Sequence, residues 1–248
     1  MSAGFFAMFS KLPPNGGSAP FGPQHWAALG CCALLGLCLV LVYRRRSPRG
    51  RRSMRLAVAF TDLGSELLRD LIFAHFGEFN IGYLPLHWCG LALFFLVWDA
   101  LAESPLTHNL LYGLVLPGAL SALLFPDWLR YPPISLGNIH SFFSHCLLVS
   151  YVLMRLCGRD FVPDWRQLPR CFGFMVLCAL PVYGFDRIFR TNYMFLLIPS
   201  PGSPLEAFAR VLGNPGYILG MVAALFGVWL VEYLPIALAC RRRGARRA

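Results

Sequence analysis

The chain has 248 residues, of which 57% are hydrophobic and 14% are charged, and its formal net charge is +10. This composition excludes a water-soluble domain and predicts a single helical bundle in a membrane, because the polar connections are too short for a second domain. The positive charge does not predict a nucleic-acid partner. The arginines cluster at the ends of apolar stretches, where they set orientation and meet anionic lipid headgroups.

Seven apolar stretches are long enough to cross a bilayer, which takes about 20 residues. In chain order these stretches are 25–43, 56–76, 83–102, 106–125, 136–157, 169–186 and 215–240. The sequence therefore predicts an all-α bundle of seven transmembrane helices over 25–240. An extracellular or interfacial segment at 1–24 precedes it, and a basic cytoplasmic tail at 241–248 follows it.

The placement of the arginines predicts the orientation of this bundle, because lysine and arginine concentrate in cytoplasmic loops. Seven arginines lie within 44–55, four within 155–170 and five within 241–247, which together are sixteen of the 22 basic residues. Seven crossings place all three groups on one side, whereas six or eight crossings separate them. We therefore expect an extracellular N-terminus, a cytoplasmic C-terminus and a multi-pass location in a cell membrane.

The second predicted span carries charges that a lipid-facing helix would not tolerate, since each costs about 2.5–3.5 kcal/mol at mid-helix on insertion scales. Asp62, Glu66, Arg69 and Asp70 follow steps of three and four residues, so they share one helical face. We expect this face to point at the polar side of the fifth span. It is either an ion-pair clasp that holds the bundle together or part of a working site.

Histidines in the third and fifth spans are the second polar signal. His87 and Cys89 lie near the start of the third span, where Pro85 is expected in the first helical turn. The fifth span carries a polar stripe and a second polar pair on an adjacent face: Asn138, Ser141 and His145, then His140 and Ser144. A single histidine in a membrane helix ordinarily forms a hydrogen bond with a neighbouring helix. Two histidine-bearing helices beside a charged one indicate a polar site in the outer half, and we expect few comparable groups in the cytoplasmic half.

The segment 187–214 after the sixth span is too long for a turn and is expected to be interfacial or re-entrant. It begins with Arg187 and Arg190, which lie on the side where topology does not require arginine, and continues with Asn192 and Tyr193. These arginines are interpreted either as ligands of an anionic headgroup or as side chains that snorkel to the interface.

Cysteine usage predicts neither disulfides nor a metal. The predicted spans contain Cys31, Cys32, Cys38, Cys89, Cys146, Cys171 and Cys178, and a free cysteine in a span behaves as a small apolar residue. There is no CxxC pair and no zinc-like spacing of cysteine and histidine, so no metal or other cofactor is expected.

Several short motifs occur in a fixed order along the chain and carry a resemblance to a known family. They are Phe21-Gly22-Pro23-Gln24-His25-Trp26, Leu84-Pro85-Leu86-His87-Trp88-Cys89, Leu124-Phe125-Pro126-Asp127, the pair His140 and His145, and Thr191-Asn192-Tyr193-Met194-Phe195-Leu196. In these motifs the chain resembles the YwaF-type bacterial integral membrane proteins, a family similar to a vertebrate multispan acyltransferase of ether phospholipids. The resemblance implies lipid handling in a bacterial cytoplasmic membrane. In the vertebrate relative a reactive cysteine lies between the proline and the histidine, a position that is Leu86 here.

The leading hypothesis is a membrane-embedded lipid-modifying enzyme, either acyltransferase-like or lipid-hydrolase-like, whose partners are membrane lipids and a lipid or amphiphile substrate. Cys89 is then the nucleophile, and His87, His140 or His145 is the base that activates it. Residues two apart in a helix point about 200° apart, so the base for Cys89 is expected on the fifth span. The remaining candidates would bind the substrate or its headgroup: Glu66, Arg69, Asp70, Asn138, Ser141, Arg187, Arg190, Asn192 and Tyr193.

The alternative is a protein that catalyses no reaction. A receptor-like bundle that binds a lipid or amphiphile, or a small transporter, would also need a charged second span and a polar pocket. A transporter is disfavoured because no internal repeat is found. A scaffold with buried polar contacts is the third interpretation.

Overall fold

The computed structural model describes residues 4–6, 12, 17–200 and 203–245, with only the backbone described for 239–245. In this part of the chain all regular structure is helical, and no strand occurs. Eight helices follow one another: α1 Pro23–Arg44, α2 Pro48–His75, α3 Trp88–Leu101, α4 Pro105–Leu124, α5 Leu136–Gly158, α6 Leu168–Phe189, α7 Pro204–Leu212 and α8 Tyr217–Ala245. Short 3₁₀ turns lie at Ile81–Tyr83, Trp165–Gln167 and Tyr193–Phe195.

Five of these helices are long and apolar enough to cross a membrane, namely α1, α4, α5, α6 and α8. The other two predicted spans differ for physical reasons. Helix α2 is 28 residues long but carries many charges, and α3 has only 14 residues, which is about 21 Å of helix. The structure therefore supports a multi-pass membrane protein with five candidate spans, and seven crossings stay a prediction.

Helix α2 begins eight residues earlier than the sequence pattern indicated. Ser47 is its N-cap and accepts a hydrogen bond from the Gly50 amide at 3.3 Å, and Pro48 occupies the first turn. Both features are strong helix-start signals. The arginines from Arg49 to Arg55, interpreted above as a loop, are therefore helical.

Helix α3 begins later than predicted, at Trp88, and Pro85 lies outside it. Leu84 has an extended backbone, as expected for a residue that precedes proline. His87 is the N-cap residue and is also extended. His87 therefore lies outside the regular helix, and helix geometry does not force its side chain and that of Cys89 to point in opposite directions.

Helix α5 lies at the centre of the bundle and packs against α1, α2, α3 and α4. In its most apolar window 67% of the residues are buried, compared with 11% in the corresponding windows of α6 and α8. Large apolar side chains on α6 and α8, among them Leu177, Leu180 and Leu230, are exposed. Such surfaces fit helices that face lipid, so the core lies around α5 and the periphery at α6 and α8.

One carbonyl group in helix α4 lacks its usual helical hydrogen bond, and a side chain of α8 supplies the missing donor. Pro117 lacks an amide hydrogen, so the carbonyl of Gly113 loses its usual helical partner, and the helix widens to a π-turn over Leu111–Val115. The indole Nε1 of Trp229 donates a 2.6 Å hydrogen bond to that carbonyl. A Cβ at residue 113 would lie 2.9 Å from the Tyr233 hydroxyl oxygen and 3.1 Å from Trp229 Nε1, so the close approach of α8 requires glycine here.

We expect Trp229→Phe to lower the free energy of unfolding by about 1–3 kcal/mol, because it leaves the buried Gly113 carbonyl without a partner. Thermal unfolding of the purified protein in detergent measures this. Trp26→Phe is the matched control, since Trp26 is 58% exposed and should have little effect. Equal midpoints for Trp229→Phe and wild type would contradict the assigned role of the indole.

Candidate functional site

Two polar clusters lie at opposite ends of the bundle, and α5 contributes to both. The histidine cluster, at the C-terminal end of α2 and the N-terminal ends of α3 and α5, consists of Glu66, Arg69, Asp70, His87, Cys89, Asp127, His140 and His145. The arginine cluster, at the other end of these helices, consists of Tyr43, Arg51, Arg55, Asp99, Glu103, His108, Tyr151, Arg155 and Asp160. Most of the predicted site residues belong to the first cluster or border it.

The charged face of α2 packs against α5, as the spacing of its residues predicted. Arg69 forms ion pairs with Glu66 at 2.5 Å and with Asp70 at 2.6 Å. The second carboxylate oxygen of Glu66 lies 3.5 Å from His140 Nε2 on α5. Arg69 also lies over the ring of Tyr83, with its guanidinium carbon 5.8 Å from the centroid. These contacts join α2, α5 and the turn before α3 into one polar group.

His145 is held by two contacts, one of which fixes its tautomer. Its Nδ1 lies 2.8 Å from the carbonyl oxygen of Ser141, which can only accept, so Nδ1 carries the hydrogen. The ring stacks on Trp128 at a centroid distance of 4.8 Å. Nε2 is therefore the unprotonated nitrogen of the neutral ring and is able to accept a proton.

His87 has the opposite tautomer. The backbone amide of Met194 donates to His87 Nδ1 at 3.2 Å, so in the neutral ring Nε2 carries the hydrogen. The rings of Tyr193 and Phe195 pack against the imidazole at centroid distances of 4.9 and 5.4 Å. His87 and His145 lie within electrostatic range of each other and of Asp127. A proton acceptor and a hydrogen-bond donor therefore share one neighbourhood.

Cys89 lies in the first turn of α3 and is partly buried. No described side chain forms a hydrogen bond with its thiol, so the predicted pairing with a histidine of the fifth span is not formed in this structure. The carboxylates of Glu66 and Asp127 lie within electrostatic range of the sulfur and would repel a thiolate. The nucleophilic role of Cys89 stays a prediction.

Three of the predicted binding residues have side chains engaged in local backbone contacts. The amide of Asn138 donates to the Pro133 carbonyl at 3.0 Å, and the hydroxyl of Ser141 donates to the Gly137 carbonyl at 2.8 Å. The oxygen of the Asn192 side chain accepts from the amides of residues 197 and 198, both at 3.0 Å. These side chains order the loop and the start of α5, and contact with a substrate stays a prediction for them.

Tyr193 is wholly buried and positions His87. Its hydroxyl donates to the carbonyl of Ile81, and its amide donates to Asp186 at 2.9 Å. Burial raises the pKa of the Tyr193 hydroxyl to about 12, so it stays a donor at neutral pH. Arg187 and Arg190 are exposed at the end of α6, away from these contacts. The headgroup role of the two arginines stays a prediction.

The arginine cluster corrects the expectation that the opposite half of the bundle holds few charged groups. Arg155 and Asp99 are wholly buried and form an ion pair, and Asp99 also accepts from Tyr151 at 2.8 Å and Thr107 at 2.9 Å. Glu103 binds Arg155 at 2.5 Å and also pairs with Arg55.

The cluster extends from there to the start of α2. Arg55 donates to the Tyr43 hydroxyl at 3.1 Å, and Tyr43 in turn donates to Asp160. Arg51 reaches Asp160 at 3.0 Å and the Gly158 carbonyl at 2.8 Å. Nearly every charged group has a partner of opposite sign, so this cluster is a clasp that joins α1, α2, α3, α4 and α5.

Three residues at this end of the bundle were not predicted from the sequence: Asp127 in the histidine cluster, and Trp128 and Tyr83, which pack against it. Asp127 was noted only as part of a motif, and its loop position gave no sign of closeness to His87 and His145. The clasp was also missed, although a signal existed. Asp99 and Arg155 are opposite charges inside two predicted spans, and they lie at similar depths from the same membrane face.

Two cavities lie apart from the histidine cluster. One of about 480 Å³ lies between α1, α4 and α5, with Cys32, Gly36, Leu120, Cys146 and Leu153 among its lining residues. The other, of about 650 Å³, lies between α6 and α8 and is lined by aromatic and aliphatic side chains. Over the described residues no group of three or more histidine, cysteine or acidic side chains is arranged to hold a metal ion.

Comparison with known protein families gives a match. The model of the TMEM164 family matches residues 20–233, a range that includes both polar clusters. No curated protein and no solved structure matches the chain.

We expect Asp99→Asn to lower the free energy of unfolding by about 3–5 kcal/mol, because it removes one partner of a wholly buried charge pair. The matched control is Glu206→Gln, which breaks the exposed pair between Glu206 and Arg210 on α7 and should cost less than about 1 kcal/mol. Thermal unfolding in detergent compares the two variants. Similar midpoints for both would contradict the assignment of the arginine cluster as the clasp.

Proposed function

We propose that this chain, which belongs to the TMEM164 family, is a lipid-modifying enzyme whose site is the histidine cluster. Its partners are membrane lipids, and its substrate is a lipid or another amphiphile. The relation to YwaF-type bacterial proteins and to the vertebrate ether-phospholipid acyltransferase is part of this proposal, as is a location in the bacterial cytoplasmic membrane.

One observation carries the proposal, and it is the pair of opposite tautomers at His145 and His87. His145 presents an unprotonated Nε2, and His87 presents an Nε2–H group, within electrostatic range of each other. Acyl transfer needs a base that takes a proton from the nucleophile and a donor that stabilises the negative charge on the carbonyl oxygen. These two histidines supply both functions.

The chemistry then follows one of two routes. In acyl transfer, the Cys89 thiol gives its proton to His145 Nε2, and its sulfur forms a thioester as the acyl ester bond breaks and the proton passes to the leaving alcohol. An acceptor alcohol then gives its proton to the same nitrogen and attacks the thioester, and the proton returns to the sulfur as the carbon–sulfur bond breaks. In hydrolysis, a water molecule gives its proton to the same nitrogen and attacks the ester directly, and the proton passes to the leaving alcohol as the ester bond breaks and a carboxylic acid is formed. The carboxylates near Cys89 favour the hydrolytic route, because they oppose a thiolate.

The cavity between α1, α4 and α5 supports a lipid substrate. Its volume of about 480 Å³ and its apolar lining suit an acyl chain. Cys146, which lines it, follows His145 directly in α5. Helix α5 thus connects an apolar cavity with the polar cluster, as a substrate with a tail and a polar head requires.

We also propose seven crossings with the histidine cluster on the outer side. The length of α2 suffices to cross a bilayer. Its charged face is covered by α5, which removes the main obstacle to a membrane location. Helix α3 is short, but the turn at Ile81–Tyr83 precedes it and extends the segment.

The second candidate function is a binding protein for a lipid or amphiphile, without catalysis. The absence of a hydrogen bond between Cys89 and any described histidine favours it. A binding protein would use the same polar cluster and the same apolar cavity, and it would not need the base at His145.

Lipid analysis of cells that lack the protein tests the enzyme proposal. We expect the deletion to change the acyl composition of a phospholipid class, and wild type and His75→Ala to restore it, since His75 is exposed at the end of α2. His145→Ala should fail to restore it although the protein is present in the membrane. Full restoration of the lipid composition by His145→Ala would contradict the enzyme proposal and favour the binding-protein function.

Cysteine variants in the same cells separate the two routes. Cys89→Ser abolishes acyl transfer but leaves hydrolysis by water intact. The matched control is Cys38→Ser, which changes an exposed cysteine on α1 that does not line the proposed acyl-chain cavity. Labelling of Cys89 by an electrophilic lipid probe, relative to the other cysteines, gives an independent measure of the thiol route.

The proposed orientation is tested with two tags. A tag at the C-terminus should resist added protease in intact cells, because the arginine-rich ends keep that side in the cytoplasm. A tag inserted after Lys11 should be cleaved, and permeabilised cells provide the control in which both are cleaved. Cleavage of the C-terminal tag in intact cells would reverse the proposed orientation.

A further inference from the structure

Asp62 lies in the middle of α2, and none of its surface is exposed. Both of its carboxyl oxygens are buried, and no described residue makes a hydrogen bond with either of them. The hydroxyl of Ser144 on α5 lies beside the carboxyl without the geometry of a hydrogen bond. The lipid chemistry proposed above does not use this side chain.

Asp62 and Ser144 form the second of two polar levels between α2 and α5. The first level is Glu66 and His140, whose charged and ring atoms are 3.5 Å apart. Four residues, or about 6 Å of helix, separate the two levels on each helix. Helices α2 and α5 run antiparallel. Going from 66 to 62 on α2 and from 140 to 144 on α5 therefore leads in the same direction, from the histidine cluster toward the middle of the bundle.

The contact between α2 and α5 becomes apolar beyond Asp62. The next buried aliphatic side chains toward the arginine cluster are Val58 and Ala59 on α2 and, beyond Cys146, Leu147 and Leu148 on α5. The carboxyl of Asp62 is therefore adjacent to polar groups on the histidine-cluster side and separated from the arginine cluster by an apolar layer.

An ionised carboxylate in this position would be very unfavourable, because burial removes its hydration and no cation replaces it. The titratable groups within electrostatic range are Glu66 on α2 and Cys146 on α5, and Cys89 on α3 lies in range of Glu66. None of these is a cation. A buried acid without a counterion becomes neutral by binding a proton, and such residues in membrane helices mark proton pathways.

A metal cation is a poor alternative ligand for this site. Hard cations need about six oxygen ligands, and the site offers one carboxyl group and one hydroxyl. The backbone carbonyl of Asp62 already accepts from the Ser65 hydroxyl at 2.8 Å. The donor set suits a proton better than a sodium or calcium ion.

We propose that Asp62 is a proton-binding site that exchanges its proton with the histidine-cluster side of the membrane by way of Glu66 and His140. The proton binds one carboxylate oxygen and gives a neutral acid, which can donate to Ser144. On release it passes to the level of Glu66 and His140 and leaves a carboxylate. His140 Nδ1 is buried and has no hydrogen-bond partner among the described residues, so this nitrogen is available to a proton in transit. Burial and the nearby Arg69 and His145 disfavour a lasting charge on the ring, so the proton passes through this level and does not stay there.

Infrared spectroscopy of the purified full-length protein in lipid nanodiscs tests the site. We expect a carbonyl band of a protonated, buried carboxylic acid at neutral pH that is lost in Asp62→Asn. Glu232→Gln is the matched control, because Glu232 on α8 also has a buried carboxyl oxygen without a partner. That variant should keep the Asp62 band. Persistence of the band in Asp62→Asn would overturn the proposal.

The proposed route is tested by the exchange of that band in deuterated buffer. His140→Leu removes the titratable ring at the first level, and we expect it to slow the isotope shift of the Asp62 band. Thr191→Val, which changes a hydroxyl bound to Asp186 away from α2, should leave the rate unchanged. An unchanged rate in His140→Leu would overturn the route through this level.

A chemical measurement on the unmodified protein covers the case in which Asp62→Asn does not fold. A hydrophobic carbodiimide reacts with protonated carboxyl groups in apolar surroundings, and peptide mapping identifies the modified residue. We expect an adduct at Asp62 that disappears at alkaline pH. Modification of other carboxyl groups without Asp62 would overturn the proposal. None of these measurements depends on lipid chemistry, so the result is independent of the proposed enzyme function.

Discussion

Arg155 of α5 and Asp99 of α3 are both wholly buried, and each would be strongly destabilising without the other. Their pairing requires α3 and α5 to meet at one depth. Tyr151, Thr107 and Glu103 surround the pair, so the start of α4 and the loop before it must also lie there. The positions of three helices, α3, α4 and α5, thus depend on neutralising one buried arginine. The histidine cluster lies at the other end of two of them, so its geometry depends on the same pairing.

The two clusters differ in the kind of polar atom that is left without a hydrogen-bond partner. In the arginine cluster most donors meet a carboxylate or hydroxyl within hydrogen-bond distance, as expected for groups that hold a fold together. Its buried atoms without partners among the described residues are the Nε atoms of Arg51, Arg55 and Arg155, which belong to guanidinium groups that keep their protons. In the histidine cluster the corresponding atom is Nδ1 of His140, an imidazole nitrogen that can gain or lose a proton, and this chemical difference is the physical reason to seek function at that end of the bundle.

The periodicity of the sequence was sufficient for the helical class and for the contact between α2 and α5. Residues 62, 66 and 69 share a face because of helix geometry alone, and a charged face in an apolar chain has to be covered. Helix starts were less predictable. Ser47 and Pro48 are a clear start signal, yet the arginines that follow them were interpreted as a loop because of their charge. The tautomer of His145 depends on the carbonyl of Ser141, four residues earlier in the same helix. The tautomer of His87 depends on the amide of Met194, a long-range contact that no residue pattern indicates.

The bond between Trp229 and the Gly113 carbonyl has a consequence for biosynthesis. Helix α4 emerges from the ribosome more than a hundred residues before the indole that completes its hydrogen bonding. Until the last helix inserts, a strong acceptor in α4 lies unsatisfied in or near hydrocarbon, where no water replaces the missing donor. The bundle is therefore incomplete until its C-terminal helix docks, so a chain truncated before residue 229 carries an exposed defect by which quality control in the membrane can distinguish it from the finished protein.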